Sequence, residues 1–385
     1  MTTRWSARMA ALWRIACLVP LLFVNWGCST TPAYPVHSQF LGERVNTTVD
    51  SEIARYYLDV YLAGRRNDAD FDAKIDRVYR DYPHPQPTRD DLRKIAADFS
   101  VDFAALFFAD RLWADKRNQR LQETFRRFIE RDEVVQRAHP NPFANYVILF
   151  VPGWDYAKLG HVTGANFAMP RILVTELGIE NQLVEIPPNG SVEENADYLS
   201  KELIKYGRRG KKIIVVGASS AGPAIHLSIG EQLQGKQLQS IAAWVNIGGI
   251  LRGSPLIDHY QQWPQRWLFN TVLWWENWDT EKVLSMSVQR SRKRFERLSL
   301  SDDVLVINYL GLSLSGQLGK YSRDRYPLLA PQGPNDGLTL LADVIAPGSI
   351  TIIAMGSDHF FAEDPRIDAK TVALAKTVIA YLEEP

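Results

Sequence analysis

From Asn145 onward, short β-rich runs alternate with stretches of helical spacing, and this alternation restricts the fold more than any other feature of the sequence. The runs are Tyr146–Val151, Gln182–Ile186, Lys211–Val216, Ile241–Asn246, Val304–Tyr309 and Ile350–Met355. Tyr146–Val151 (YVILFV) is apolar without a polar break, as a strand covered on both faces must be. Helical patterns over Val192–Tyr206, Ala221–Leu233 and Ala369–Leu382 lie between or after the runs. Strands and helices in alternation predict an α/β architecture: a mostly parallel sheet with helices on both faces. No internal repeat is present.

The N-terminal part reads differently. Arg4, Arg8 and Arg14 precede a short apolar run, Ile15–Val24, broken by Pro20, which fits a secretory signal better than a membrane span. The run ends in Asn25-Trp26-Gly27-Cys28-Ser29, which resembles a bacterial lipoprotein signal. That resemblance implies a signal in residues 1–28 whose Cys28 becomes the lipidated first residue after cleavage, and an exported protein anchored to a membrane of the cell envelope. The alternative is an ordinary cleaved signal with an incidental cysteine. Cys17 and Cys28 are the only 2 cysteines of the chain, so the mature protein has no disulfide. Residues 29–45, rich in Pro, Ser and Thr, read as a tether. Residues 46–138 read as a helical region: Ile53, Tyr57, Val60 and Tyr61 recur at helical spacing, and Thr88 caps a further helix. This region carries no evident chemistry and reads as a packing or docking module. With 44 basic and 44 acidic residues and no Lys/Arg run of the right kind, the chain offers no nucleic-acid footprint.

Chemistry concentrates where the third run turns into a helix, at Val216-Gly217-Ala218-Ser219-Ser220-Ala221-Gly222. A G-x-S-x-G turn between a strand and a helix holds a serine exposed at the strand end, with helix N–H groups beside it. Ser219 as nucleophile has Gly217 before it and Ala221 in place of the second glycine; Ser220 would have Ala218 and Gly222. The step off the strand fits Ser219 better. A serine hydroxyl needs a base, and the base an orienting acid. His259 and His359 both lie far enough beyond the turn; His359 follows the last strand, where a base can hang over the serine. His226 falls inside the helix and reads as a packing residue. Asp336, in the turn-type sequence Pro334-Asn335-Asp336-Gly337-Leu338, is the candidate acid, with Asp302, Asp303, Asp324 and Asp343 as alternatives nearby.

G-A-S-S-A-G, N-D-G-L, D-H-F-F and the segment Gly248–Pro255 together resemble the α/β-hydrolase superfamily, in particular its lipase- and esterase-like members, over roughly residues 145–385 of a catalytic domain placed at 139–385. The resemblance implies a Ser219–His359–Asp336 triad. It also implies an oxyanion hole from the backbone N–H groups of Trp154 and Ser220, in a loop where Pro152 replaces the usual histidine; the alternative is a plain tight turn. It implies no metal and no cofactor. A cap of about residues 256–300 holds Trp263, Trp267, Trp274, Trp275 and Trp278, which either roof a substrate pocket or face a membrane, or else pack the cap onto the main domain. Arg290–Arg297 reads as a solvated helix face. The expected activity is hydrolysis of small-molecule or lipid carboxylic esters through an acyl-enzyme. The rival expectation is a non-catalytic surface lipoprotein that uses the fold as a scaffold for partners.

Overall fold

The computed structural model describes residues 33–131 and 142–384. The signal expected at residues 1–28, with Cys28, lies outside them.

The chain opens on an antiparallel hairpin, β1 (Tyr34–Phe40) and β2 (Glu43–Val49). The tether reading of residues 29–45 is therefore corrected from Tyr34 on, and the helical region starts after Val49 rather than at residue 46. Val36, Phe40, Val45 and Val49 all face inward and are buried. Ser38 also faces inward and donates its hydroxyl to the Leu58 carbonyl. Leu41 and Gly42 both take positive φ, the geometry of a tight two-residue hairpin turn. Glycine suits position 42 because its φ of +79° is a conformation that side chains rarely adopt.

Helices α1 (Glu52–Tyr56), α2 (Ala69–Asp81), α3 (Arg89–Asp98), α4 (Val101–Trp113) and α5 (Lys116–Arg131) follow. Thr88 caps α3 as read, in a reciprocal capping box with Asp91. The Phe103, Phe107 and Phe108 side chains of α4 are fully buried. They share one core with the hairpin and with residues of the C-terminal sheet, among them Leu310, Leu312 and Met355. The N-terminal region is thus part of the main core.

The second sheet is wholly parallel, with strand order β4-β3-β5-β6-β7-β8. Its strands are β3 (Tyr146–Val151), β4 (Glu180–Leu183), β5 (Lys212–Ala218), β6 (Ile241–Ile247), β7 (Leu305–Leu312) and β8 (Ile350–Met355). Five match the apolar runs closely. β4 pairs earlier than its run, as an edge strand with half its residues exposed. Helices α6 (Tyr156–Thr163), α7 (Ala168–Glu176), α8 (Val192–Gly207) and α9 (Ala221–Leu227) connect the first four strands. The cap is α10 (Pro255–Tyr260), α11 (Gln265–Glu276), α12 (Thr280–Leu284) and α13 (Val288–Arg297). The short α14 (Tyr326–Leu329) precedes the last strand, and α15 (Ile367–Leu382) closes the chain. Ile148 and Phe150 face α7 and α15 across one core, while Val147 and Leu149 face α8 across another.

The β8 edge is sealed by side chains. The Gln122 amide of α5 donates to the Ile353 carbonyl at 3.0 Å and accepts from the Ile353 N–H at 2.7 Å. One turn earlier, Asn118 accepts from the Thr351 N–H at 2.8 Å. Two amides at i and i+4 supply what a neighbouring strand would, so no open edge remains there for another chain to pair with.

Candidate active site

The sheet order creates the site. The chain runs from β3 outward to β4 and then returns to β5 on the other side of β3. Neighbouring strands β3 and β5 therefore send their following loops apart, which opens a crevice at their C-terminal ends. Ser219 lies directly after β5 in this crevice. Its φ of +54° is left-handed, a conformation that costs a non-glycine residue on the order of 1–3 kcal/mol. Three backbone bonds hold it: the Ser219 N–H donates to the Ile247 carbonyl, and the Ser219 carbonyl accepts from Gly222 and Ile250. Close approach explains the small residues. A Cβ on Gly222 would stand 2.7 Å from the Gly249 Cα, so the glycine after β6 and the one in the elbow need each other. Ala221 is tolerated at the position where glycine is usual, and is fully buried.

His359 follows β8 in a loop pinned by Asp358, which accepts from the Gly319 and Phe360 N–H groups. Its Nε2 is 3.0 Å from the Ser219 Oγ, and its Nδ1 is 2.9 Å from the Asp336 Oδ2. A carboxylate only accepts, so Nδ1 carries the proton and Nε2 is left to take one from the serine. Asp336 is buried; its other oxygen accepts from the Leu338 and Thr339 N–H groups at 2.9 and 2.8 Å. The His359 N–H donates to the Asp336 carbonyl, which ties the two loops together. The structure thus brings together Ser219, Asp336 and His359. It leaves the alternatives elsewhere: Asp343 pairs with Arg89, Asp302, Asp303 and Asp324 are exposed, and His259 packs on Tyr260 in the cap. His226 is buried against Trp244 and Phe295, and burial pulls its pKa down to about 4.

The loop after β3 reaches the same point. A Cβ on Gly153 would lie 3.5 Å from the Ser219 Cβ. The Gly153 N–H donates to Ala165 and the Asp155 N–H to Pro188. The Trp154 N–H between them has no acceptor among the described residues, and neither has the Ser220 N–H. The cap supplies part of the surroundings: Trp278 meets Trp154 edge-on at 5.7 Å, while Trp263, Trp267, Trp274 and Trp275 are exposed. The basic helix α13 is less solvated than its sequence suggests, since Arg294 is buried and paired with Glu193 of α8.

Ser219 and His359 open into a cavity of about 880 Å³ lined mostly by apolar side chains. No local pattern in the sequence marks this cavity or the Leu338 and Thr339 donors, although the turn chemistry of Asn335-Asp336-Gly337 favours such donors to an aspartate.

No protein-family model and no curated protein matches the sequence. Solved structures do match. A metagenomic carboxyl esterase aligns with a TM-score of 0.54 at 17% identity, over 69% of this chain and 91% of that one. A Bacillus licheniformis lipase in its propeptide form aligns with a TM-score of 0.50 at 16% identity, over 61% of this chain and 52% of that one. At such identities the likeness concerns the fold, and together with the parallel sheet and the helices on both its faces it shows that this chain has the α/β-hydrolase fold.

Proposed function

We propose that the protein is a serine hydrolase that cleaves carboxylic esters through an acyl-enzyme. The observation that carries this reading is the unbroken relay from Asp336 through His359 to Ser219 at the wall of an apolar cavity. His359 takes the serine proton as Oγ attacks the ester carbonyl, and Asp336 stabilises the resulting imidazolium. In this reading the N–H groups of Trp154 and Ser220, which have no acceptor among the described residues, receive the oxyanion, each worth on the order of 3 kcal/mol of transition-state stabilisation. His359 then protonates the departing alcohol, and water releases the acid by the same steps. Ester is favoured over amide or thioester because a carboxyl esterase and a lipase share the fold. A scaffold without catalysis has no use for a strained serine held in reach of an oriented imidazole.

The test is covalent labelling of the folded protein with a fluorophosphonate. Labelling is expected to vanish in Ser219→Ala and to persist in Ser220→Ala. Labelling lost only in Ser220→Ala would move the nucleophile by one residue, and an unlabelled wild type would remove the serine-hydrolase reading.

We further infer that the protein works in the cell envelope, anchored through Cys28; this rests on residues 4–28 alone. Metabolic labelling with an alkyne-bearing fatty acid is expected to mark the wild type and not Cys28→Ala. Equal labelling of both would end this inference.

A further inference from the structure

The cavity does not stop at the strand ends. On the sheet side its wall runs from Phe150 and Val216 down to Ile148 and Ile214, with Val245 beside them. These side chains belong to the core face of the sheet, well below the crevice. On the opposite side it is walled by Val174 of α7 and by Leu374, Ala375 and Val378 of α15. The space between sheet and helices is open there because α15 turns the small side chains of Thr371 and Ala375, four residues apart, toward it.

Resting on the proposed ester hydrolysis at Ser219, we propose that this cavity is an acyl channel, and that the substrates are esters of unbranched fatty acids of about ten to fourteen carbons. Two wall elements set the scale of its depth. Ser219 to Ile214 is five strand steps of about 3.3 Å, or roughly 16 Å. Ile367 to Val378, both on the wall, is eleven helical steps of 1.5 Å, again roughly 16 Å. Carbon–carbon bonds near 1.5 Å at tetrahedral angles advance an extended chain by about 1.3 Å per carbon, so roughly twelve carbons reach the floor. The volume of about 880 Å³ also lies near the top of the range for small-molecule sites, roughly 300–1,000 Å³, far above the need of an acetyl group.

The mostly apolar wall disfavours a charged or sugar-like acyl part. Lys370 lines the channel, but its ammonium bonds to Asp364 and to the Met355 carbonyl, so it presents its methylene stem. Tyr309 and Thr371 also line the wall, while Tyr321 and Arg325 lie at the mouth beside Phe360, where the alcohol part of the ester sits. Each methylene moved from water into such a wall raises kcat/KM by up to roughly fourfold, until the floor is met.

The experiment measures kcat/KM for p-nitrophenyl esters from two to sixteen carbons with wild type, Ala375→Trp and Val378→Phe, alongside calorimetric binding of dodecanoate to each protein. The expected wild-type optimum is near twelve carbons. Ala375→Trp fills the channel about two thirds of the way down and is expected to lower the twelve- to four-carbon ratio at least 30-fold; Val378→Phe moves the optimum shorter by two or more carbons. Dodecanoate binds the wild type saturably and Ala375→Trp at least tenfold more weakly, with both proteins melting cooperatively. A wild-type optimum at two to four carbons, or a ratio unmoved by both variants, overturns the channel. If no ester is cleaved, the ester reading fails and the binding arm decides the channel: saturable dodecanoate binding weakened by Ala375→Trp upholds it, and no binding overturns it. If Ala375→Trp does not fold, Val378→Phe is read in the same way.

Discussion

Exchanging His359 for alanine is expected to lower kcat for a soluble p-nitrophenyl ester by about 10⁵- to 10⁶-fold with KM little changed. Without the imidazole at 3.0 Å, nothing near Ser219 Oγ takes its proton. Asp336→Asn is expected to cost about 10⁴-fold, because an amide at the Asp336 position can donate to Nδ1 and so favours the wrong tautomer. The two losses do not add: His359→Ala combined with Asp336→Asn falls where His359→Ala alone falls, since the aspartate acts only through the imidazole. Steady-state kinetics on the three variants checks this, and a loss below tenfold in His359→Ala would show that the relay is not used.

The second large effect concerns folding. A chain lacking residues 34–113 is expected to give no soluble monomer with a cooperative melt. Such a deletion bares Leu310, Leu312, Leu314, Ile353 and Met355, which are buried against the hairpin and helices α1 to α4. Within that layer a single Phe107→Ala costs about 3–5 kcal/mol, against a total stability of about 5–15 kcal/mol for a typical domain. Circular dichroism melts and size-exclusion chromatography decide the matter. A monomeric, cooperatively melting deletion protein would mean that the N-terminal region is a separate module.

The sheet and the elbow were legible because each leaves a local mark. A doubly covered strand is apolar throughout, as in YVILFV, and a strand that turns sharply into a helix needs small residues around its serine. Asp336 was legible among five aspartates because only it sits in a turn sequence that can aim a carboxylate inward. The hairpin was not, since Pro35, Ser38, Thr47 and Thr48 give a strand the composition of a linker, and only the spacing of Val36, Phe40, Val45 and Val49 betrays it. Asn118 and Gln122 look like the polar face of an amphipathic helix, and nothing local says that this face meets a strand edge. The cavity leaves no periodic signature at all, because an empty space is made by side chains from many elements distant in sequence. Exposure of four cap tryptophans decides against simple packing for those four, whereas Trp278 does pack on Trp154.

The core that joins residues 36–112 to residues 310–355 sets a timetable. A ribosome adds roughly 5–20 residues per second, so the hairpin and first helices exist for on the order of ten seconds or more before β8 emerges. During that interval Phe103, Phe107 and Phe108 have no sheet to cover. The first third of this protein is therefore made well before Leu310, Leu312 and Met355, the residues that complete its core.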